Sequence, residues 1–253
     1  MTRPHLKVSL ANNPGIGASY SQHKASMKNS TNGLYLIFDM DGTLIDSNPT
    51  HKEAYTQFFA RYDIELTDEG FKDHISGRMN PDILTYFFGE KGEELSEQRI
   101  EELTREKETL YQQLFEPAIK PINGLTEFLM GVQDAHIPMA LATSAPMMNV
   151  DFVFDKLGIR QFFQQIVTEA DVTTGKPDPA VFRIAAERLG ADPAQCIVFE
   201  DSAKGVEAAQ AAGMVVVALT VSHEPEATEH ADRVIDDYTQ IRVDELGTLL
   251  RKG

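Results

Sequence analysis

Four short stretches hold the residues whose types invite chemistry. Leu34-Tyr-Leu-Ile-Phe-Asp39-Met-Asp41-Gly42-Thr43 sets two carboxylates two residues apart beyond an apolar run, and Ala140-Leu-Ala-Thr143-Ser144 ends a second run in hydroxyls. Gly175-Lys176-Pro177-Asp178-Pro179 puts a lysine ahead of a helical segment, and Val198-Phe-Glu200-Asp201-Ser202 ends a further run in two acids. Carboxylates so placed can attack an electrophile, carry protons or hold a hard cation. Each stretch also has a plainer reading: Asp-x-Asp-Gly as a turn, Thr143 and Ser144 as helix caps, Lys176 as a surface charge, Glu200 with Asp201 as a capping pair beside Ser202. A calcium loop is set aside, because the residues after Asp41 supply neither a further oxygen ligand before the glycine nor a glutamate at the twelfth position.

For these stretches to act together, the fold must bring them to one edge. From Leu34 onward, short apolar runs alternate with polar turns and helical stretches, the pattern of a parallel α/β sheet buried on both faces. Strands are predicted at Leu34–Phe38, Met139–Ala142, Gln165–Val167, Ile197–Phe199 and Met214–Leu219, with a weaker one at Arg233–Ile235. Helices are predicted at Val150–Leu157, Ala180–Leu189 and Val206–Ala212, followed by Gly158, Gly190 and Gly213. In such a sheet, ligands bind beyond the carboxyl ends of the strands, where all four stretches fall. From about Pro49 to Glu116 the alternation stops and only amphipathic helical pattern remains. Its last helix, about Glu97 to Phe115, spaces Ile100, Leu103, Leu110 and Leu114 along one side, and the eight acids and four bases between Glu90 and Glu108 read as a solvated face. Leu44–Asn48 and Pro117–Asn123 would be the linkers, a hinge pair that lets this insertion close over the sheet as a lid.

In this order the four stretches resemble the motifs of the haloacid dehalogenase-like phosphatases and phosphotransferases, in the β-phosphoglucomutase-like branch whose helical cap follows the first motif. The resemblance runs from about Leu34 to Asp236, roughly four fifths of the chain. A two-component receiver domain, the nearest structural competitor, fails on motif order and on the cap. The resemblance implies an α/β fold with a Rossmann-like parallel core, residues 34–48 and 117–253, and an inserted helical cap, residues 49–116. It implies that Asp39 is the nucleophile and passes through an aspartyl-phosphate, that Asp41 protonates the leaving group and later takes a proton from water, and that Thr143 and Lys176 hold the transferring phosphoryl group. Mg²⁺ would be bound by Asp39, the backbone carbonyl of Asp41, Glu200 and Asp201; none of these positions is a Cys or His, as a softer metal would prefer.

The resemblance also places substrate contacts in and near the cap. His51 stands where the mutases of this branch carry a substrate-touching histidine, with a surface histidine on a helix as the alternative. Gly77 and Arg78, in the turn Ser76-Gly77-Arg78-Met79-Asn80, and Ser144 on the core would complete the set; a surface arginine is the alternative for Arg78. Mutases of the branch read Lys-Gly-x-x-Arg in this turn, with both cations aiding a second phosphate. Here Ser76 and Asn80 replace them, which favours a phosphatase of small phosphorylated metabolites, with sugar phosphates as the expected class, over a phosphosugar mutase. A non-catalytic phosphate-binding regulator is a third reading, disfavoured by the intact Asp39, Asp41, Lys176 and Asp201.

Composition agrees. With 23 basic against 39 acidic residues the net charge is −16 and no basic stripe stands out, so nucleic acid is disfavoured as a partner. The longest apolar run, Met214–Leu219, is far too short to span a bilayer. A single cysteine, Cys196, sits in an apolar run as a buried thiol and leaves no internal disulfide, which fits a reducing, cytoplasmic setting. Residues 1–33 are polar and aperiodic and lack the apolar centre of a secretory signal; they read as a loose arm, with Met27 as an internal start.

Overall fold

A computed structural model describes residues 33–222 and 225–250; apart from Gly33, the expected arm and Met27 lie outside the described residues. The strands are β1 (Tyr35–Phe38), β2 (Met139–Ala142), β3 (Gln165–Val167), β4 (Cys196–Glu200), β5 (Val215–Leu219) and β6 (Arg233–Ile235). They pair in parallel in the order β3-β2-β1-β4-β5-β6. The helices are α1 (Asn48–Ala60), α2 (Asp68–His74), α3 (Asn80–Glu90), α4 (Glu97–Phe115), α5 (Leu125–Asp134), α6 (Met147–Leu157), α7 (Ala180–Leu189), α8 (Ala203–Ala211), α9 (Pro225–Glu229) and α10 (Leu246–Leu249).

Successive residues of a strand point to opposite faces, and β1 is apolar on both. Leu36 and Phe38 enter a cluster with Leu125, Phe128 and Leu129 of α5 and Val150, Val153 and Phe154 of α6. Phe38 stacks on Phe199 of β4, ring centroids 4.8 Å apart. Ile37 enters the opposite cluster, with Val181, Phe182 and Ala185 of α7 and Val206, Ala208 and Ala209 of α8. Helices thus cover both faces of the sheet, which is why its strands tolerate near-continuous apolar sequence. Cys196 is buried at the start of β4.

β2, β3, β6, α4 and α7 fall where the sequence pattern puts them. β1 and β5 each begin one residue later than predicted, and β4 is longer at both ends and takes in Glu200. α6 and α8 begin three residues earlier, at Met147 and Ala203. The first turn of α8 is set by a polar cap, Ser202 Oγ accepting from the Gly205 N–H at 3.1 Å, and so carries no apolar period.

Between β1 and α5 the chain is helical. Proline in the first turn starts α1 and α3, and Thr67 and Ser96 cap α2 and α4 by accepting from Gly70 N–H and Arg99 N–H. These helices share their own apolar cluster, including Tyr55, Phe58 and Phe59 of α1, Leu84, Phe87 and Phe88 of α3, and Leu103 and Leu110 of α4. One expectation fails here. The charged run is not wholly solvated, because Lys107 and Glu108 are 2% and 1% exposed. The two crossings into and out of this segment are joined: Ile45 bridges antiparallel to Pro121, and Ile122 N–H donates to Leu44 O at 2.9 Å. Among the described residues, no helix is long and apolar enough to cross a membrane.

Candidate active site

Because β1 lies between β2 and β4, their carboxyl ends stand side by side. Asp39 follows β1, Thr143 follows β2, Glu200 ends β4 with Asp201 next, and Lys176 arrives from the loop before α7. All five are buried. Lys176 Nζ donates to Asp39 Oδ1 and to Glu200 Oε1, each at 2.6 Å. Thr143 Oγ1 accepts from Ala145 N–H at 3.1 Å, which leaves its hydroxyl hydrogen free to point into the site.

The turn after β1 is built to let Asp201 approach. Gly42 has φ +77°, and a Cβ there would lie 1.9 Å from Asp201 Oδ2, so both conformation and space demand glycine. Asn48 Nδ2 donates to the same oxygen at 3.0 Å. Glu200 is the most engaged of the acids: its Oε2 accepts from Asp201 N–H, Ser202 N–H and Ser202 Oγ at 2.6, 2.7 and 3.1 Å, while Oε1 holds Lys176.

Asp39, Glu200 and Asp201 each offer an oxygen within 4.8 Å of the others, and among the described residues only Lys176 forms an ion pair with this group, leaving two formal negative charges in a buried space. Burial pushes Asp39 up to about 7 against the pull of Lys176, with Glu200 and Asp41 adding to the rise. Burial, then the charges of Glu200 and Asp39, drives Asp201 well above the usual carboxylate range. Lys176 stays charged, because Asp39 and Glu200 outweigh the burial that would lower it. A hard divalent cation fits this all-oxygen donor set and cancels the excess charge.

Asp41 has different company. Its Oδ1 accepts from Ser47 Oγ at 2.6 Å and lies 3.2 Å from His51 Nε2. Burial works to raise its carboxyl, but His51, Ser47 and Lys107 outweigh it and hold it below the ordinary range. His51 stacks on Tyr111, ring centroids 3.8 Å apart, and its Nδ1 lies 3.4 Å from Lys107 Nζ. Lys107 pairs with Glu108 Oε1 at 2.7 Å.

One cleft brings all the sequence-predicted site residues together: Asp39, Asp41, His51, Gly77, Arg78, Thr143, Ser144, Lys176, Glu200 and Asp201 line it. Ser144 Oγ donates to Gly77 O at 3.4 Å, and Lys204 Nζ donates to Ser76 O at 2.9 Å, fastening the helical segment's turn to the sheet edge. Arg78 is exposed at the rim. The cleft measures about 90 Å³, well under the roughly 300 Å³ at which ligand pockets begin, so it is closed down.

The same cleft holds residues that sequence reasoning missed: Asn48, Tyr55, Lys107, Glu108, Asn149 and Ser202, with Asn80, expected only as a lost cation. Lys107 did carry a signal. It falls four residues after Leu103 and four before Tyr111, on the buried stripe of α4, where a lysine must have a partner.

The family of haloacid dehalogenase-like hydrolases matches residues 36–219, and the chain belongs to that family. Among curated relatives, the validoxylamine A 7′-phosphate phosphatase of Streptomyces hygroscopicus subsp. limoneus is 31% identical over 214 residues, covering 83% of this chain and 97% of its own. The fructose-1-phosphate phosphatase of Escherichia coli K12 is 31% identical over 72% of this chain and 94% of its own. Among solved structures, a family IA hydrolase of Entamoeba histolytica superposes with a TM-score of 0.76 at 25% identity, covering 86% of this chain and 99% of its own. A β-phosphoglucomutase of Clostridium difficile superposes at 0.75, with 25% identity over 86% and 97%.

Proposed function

We propose that this protein is a Mg²⁺-dependent phosphatase of small phosphate esters, with phosphorylated sugars and sugar-like polyols as the substrate class. The observation that carries it is Asp39: a buried carboxylate at the end of the central strand, held at 2.6 Å by Lys176 and grouped with two further acids. The names of the phosphatase relatives support the class.

Asp39 attacks phosphorus, the new Asp39–phosphorus bond forming as the ester bond breaks; Asp41, ionised beside His51 in the empty site, takes a proton from solvent as the anionic ester binds and gives it to the departing alkoxide. Water then attacks the aspartyl-phosphate and Asp41 takes the proton back, releasing inorganic phosphate and restoring Asp39. Lys176 and the Thr143 hydroxyl hold the phosphoryl oxygens as charge develops on them. Asp39, Asp201, the Asp41 carbonyl and Glu200, which also orients Lys176, would hold the Mg²⁺. Such a cation would supply charge neutralisation for the phosphoryl group and the carboxylates around it. His51 steers Asp41, and Gly77, Arg78 and Ser144 meet the rest of the substrate.

A mutase is the second reading, favoured by the likeness to the β-phosphoglucomutase fold. Against it stand Ser76 and Asn80. The test supplies β-glucose 1-phosphate with a trace of glucose 1,6-bisphosphate and Mg²⁺, beside a panel of sugar phosphates, followed by phosphorus NMR. Free phosphate is the expected main product; rapid glucose 6-phosphate formation with little phosphate release overturns the hydrolase.

A further inference from the structure

The wall of the cleft supplied by α4 carries a buried polar cluster that the reaction steps above leave unused. Glu108 Oε1 accepts from Lys107 Nζ and from Asn80 Nδ2, each at 2.7 Å, and Oε2 accepts from Asn149 Nδ2 at 2.8 Å. Asn80 Oδ1 in turn accepts from the Tyr55 hydroxyl at 2.6 Å, and Asn149 Oδ1 from Gln112 Nε2 at 3.0 Å. The cluster lines the same cleft as Asp39 but stands three contacts from Asp41, through His51 and Lys107. It spans the interior between α1, α3, α4 and α6.

Its chemistry selects. Lys107 is neutralised by Glu108 and packs over the Tyr55 ring at 4.0 Å, so it offers no free positive charge to an incoming anion. The carboxylate of Glu108 remains ionised: burial pushes it up, but Lys107, His51 and Asn149 hold it below the ordinary range. Oε2 receives one donor and keeps acceptor capacity, and the amides of Asn80 and Asn149 each give Glu108 one of their two hydrogens. A hydroxyl can both give to this carboxylate and accept from those amides. A second phosphate or a carboxylate can only accept, and meets a like charge where water is excluded.

We infer that Glu108 is a specificity-determining residue: with Asn80 and Asn149 it takes the hydroxyls of a neutral polyol monophosphate and turns away esters that carry a second anionic group. This rests on the phosphatase function proposed above and narrows its substrate class.

The test measures kcat/KM with Mg²⁺ for sugar and sugar-alcohol monophosphates against the matching bisphosphates, with p-nitrophenyl phosphate as a substrate lacking hydroxyls. The wild type is expected to favour a monophosphate over its bisphosphate by about tenfold or more, as burying a like charge demands. Glu108→Gln removes the charge, keeps the shape and frees the Lys107 ammonium, so that ratio falls by about tenfold. Asn149→Ala, outside the ion pair, raises KM for the monophosphates about tenfold with kcat within about threefold, and decides the matter if Glu108→Gln does not fold. A wild type that hydrolyses bisphosphates as well as monophosphates, a Glu108→Gln that lowers both in proportion, or an Asn149→Ala that lowers kcat instead of raising KM overturns the inference. Turnover of p-nitrophenyl phosphate with none of any polyol monophosphate also overturns it, and leaves the phosphatase standing. No turnover of any ester overturns the phosphatase itself.

Discussion

The carboxylate of Glu200 occupies the space that a side chain on residue 205 would fill: a Cβ at Gly205 would lie 1.7 Å from Glu200 Oε1. That oxygen also holds Lys176. Alanine in a helix normally stabilises by up to about 1 kcal/mol over glycine. Gly205→Ala is expected to do the opposite, displacing Glu200, loosening Lys176 and lowering kcat by about 10²-fold. Gly89→Ala, in α3 with nothing within 4 Å of its would-be Cβ, is the control and should raise the melting temperature with kcat unchanged. Equal behaviour of the two variants in steady-state kinetics and thermal melts would contradict the coupling.

Asp39→Asn replaces the attacking oxyanion by a poor nucleophile of the same shape. Turnover should fall by at least about 10³-fold, roughly 4 kcal/mol of barrier. Melting temperature should hold or rise in the absence of Mg²⁺, because one of three crowded buried carboxylates loses its charge. Retention of a tenth of wild-type turnover would rule out the aspartyl-phosphate.

Mg²⁺ should stabilise the folded chain by cancelling charge among Asp39, Glu200 and Asp201, by about 2.7 kcal/mol at a hundredfold excess over Kd. Asp201→Ala should lose most of that gain. Asp41→Ala should keep it, since the Asp41 side chain is engaged by Ser47 and His51 and the role proposed for it toward the ion belongs to its backbone carbonyl. Calorimetric titration of the three proteins decides, and equal loss of Mg²⁺ affinity in both variants would contradict the division of roles.

Glu169 gives a pH signature separate from the chemistry. Its Oε2 accepts from the Asn80 N–H at 3.3 Å at the start of α3, and burial pushes its carboxyl from 4.5 up to about 7, with the Asn80 bond opposing and Glu108 adding to the rise. A carboxyl raised on folding contributes stability that is whole below 4.5 and is lost as pH rises toward 7. Glu169→Gln keeps an acceptor oxygen and cannot ionise. At pH 8 it should exceed the wild type by about 2 kcal/mol more than it does below pH 4.5, from about 1.4 kcal/mol per pH unit reduced for partial exposure. Urea melts of both proteins at the two pH values give the difference, and parallel pH curves would refute it.

Most of the sheet could be read from the sequence because a parallel sheet covered on both faces writes itself as short apolar runs, as β2 and β3 show. Asp39, Thr143, Glu200 and Asp201 were legible for a related reason: they fall at strand ends, and the fold leaves strand ends on one edge, to which the loop before α7 adds Lys176. The starts of α6 and α8 were not, since their first turns carry no apolar period: that of α8 is held by the Ser202 cap, and that of α6 follows Pro146 with an exposed Met147. Lys107, Glu108, Asn80 and Asn149 were hidden for another reason. They belong to three local patterns, Lys107 and Glu108 to a charged helix, Asn80 to a turn and Asn149 to a helix start, and only the packing of α4 against α3 and α6 makes them neighbours. A charge run shows how many charges a helix bears and says nothing of which two turn inward.

The bridge between Ile45 and Pro121 has a mechanical consequence. Two unpaired crossings would let the helical segment sway and twist independently at each attachment. Tied to one another by that bridge and by Ile122 N–H on Leu44 O, they form a single short ribbon, and a ribbon bends easily in one direction only. Any opening of the cleft would then reduce to one rotation about one axis, returning His51, Asn80 and Glu108 to the same positions each time.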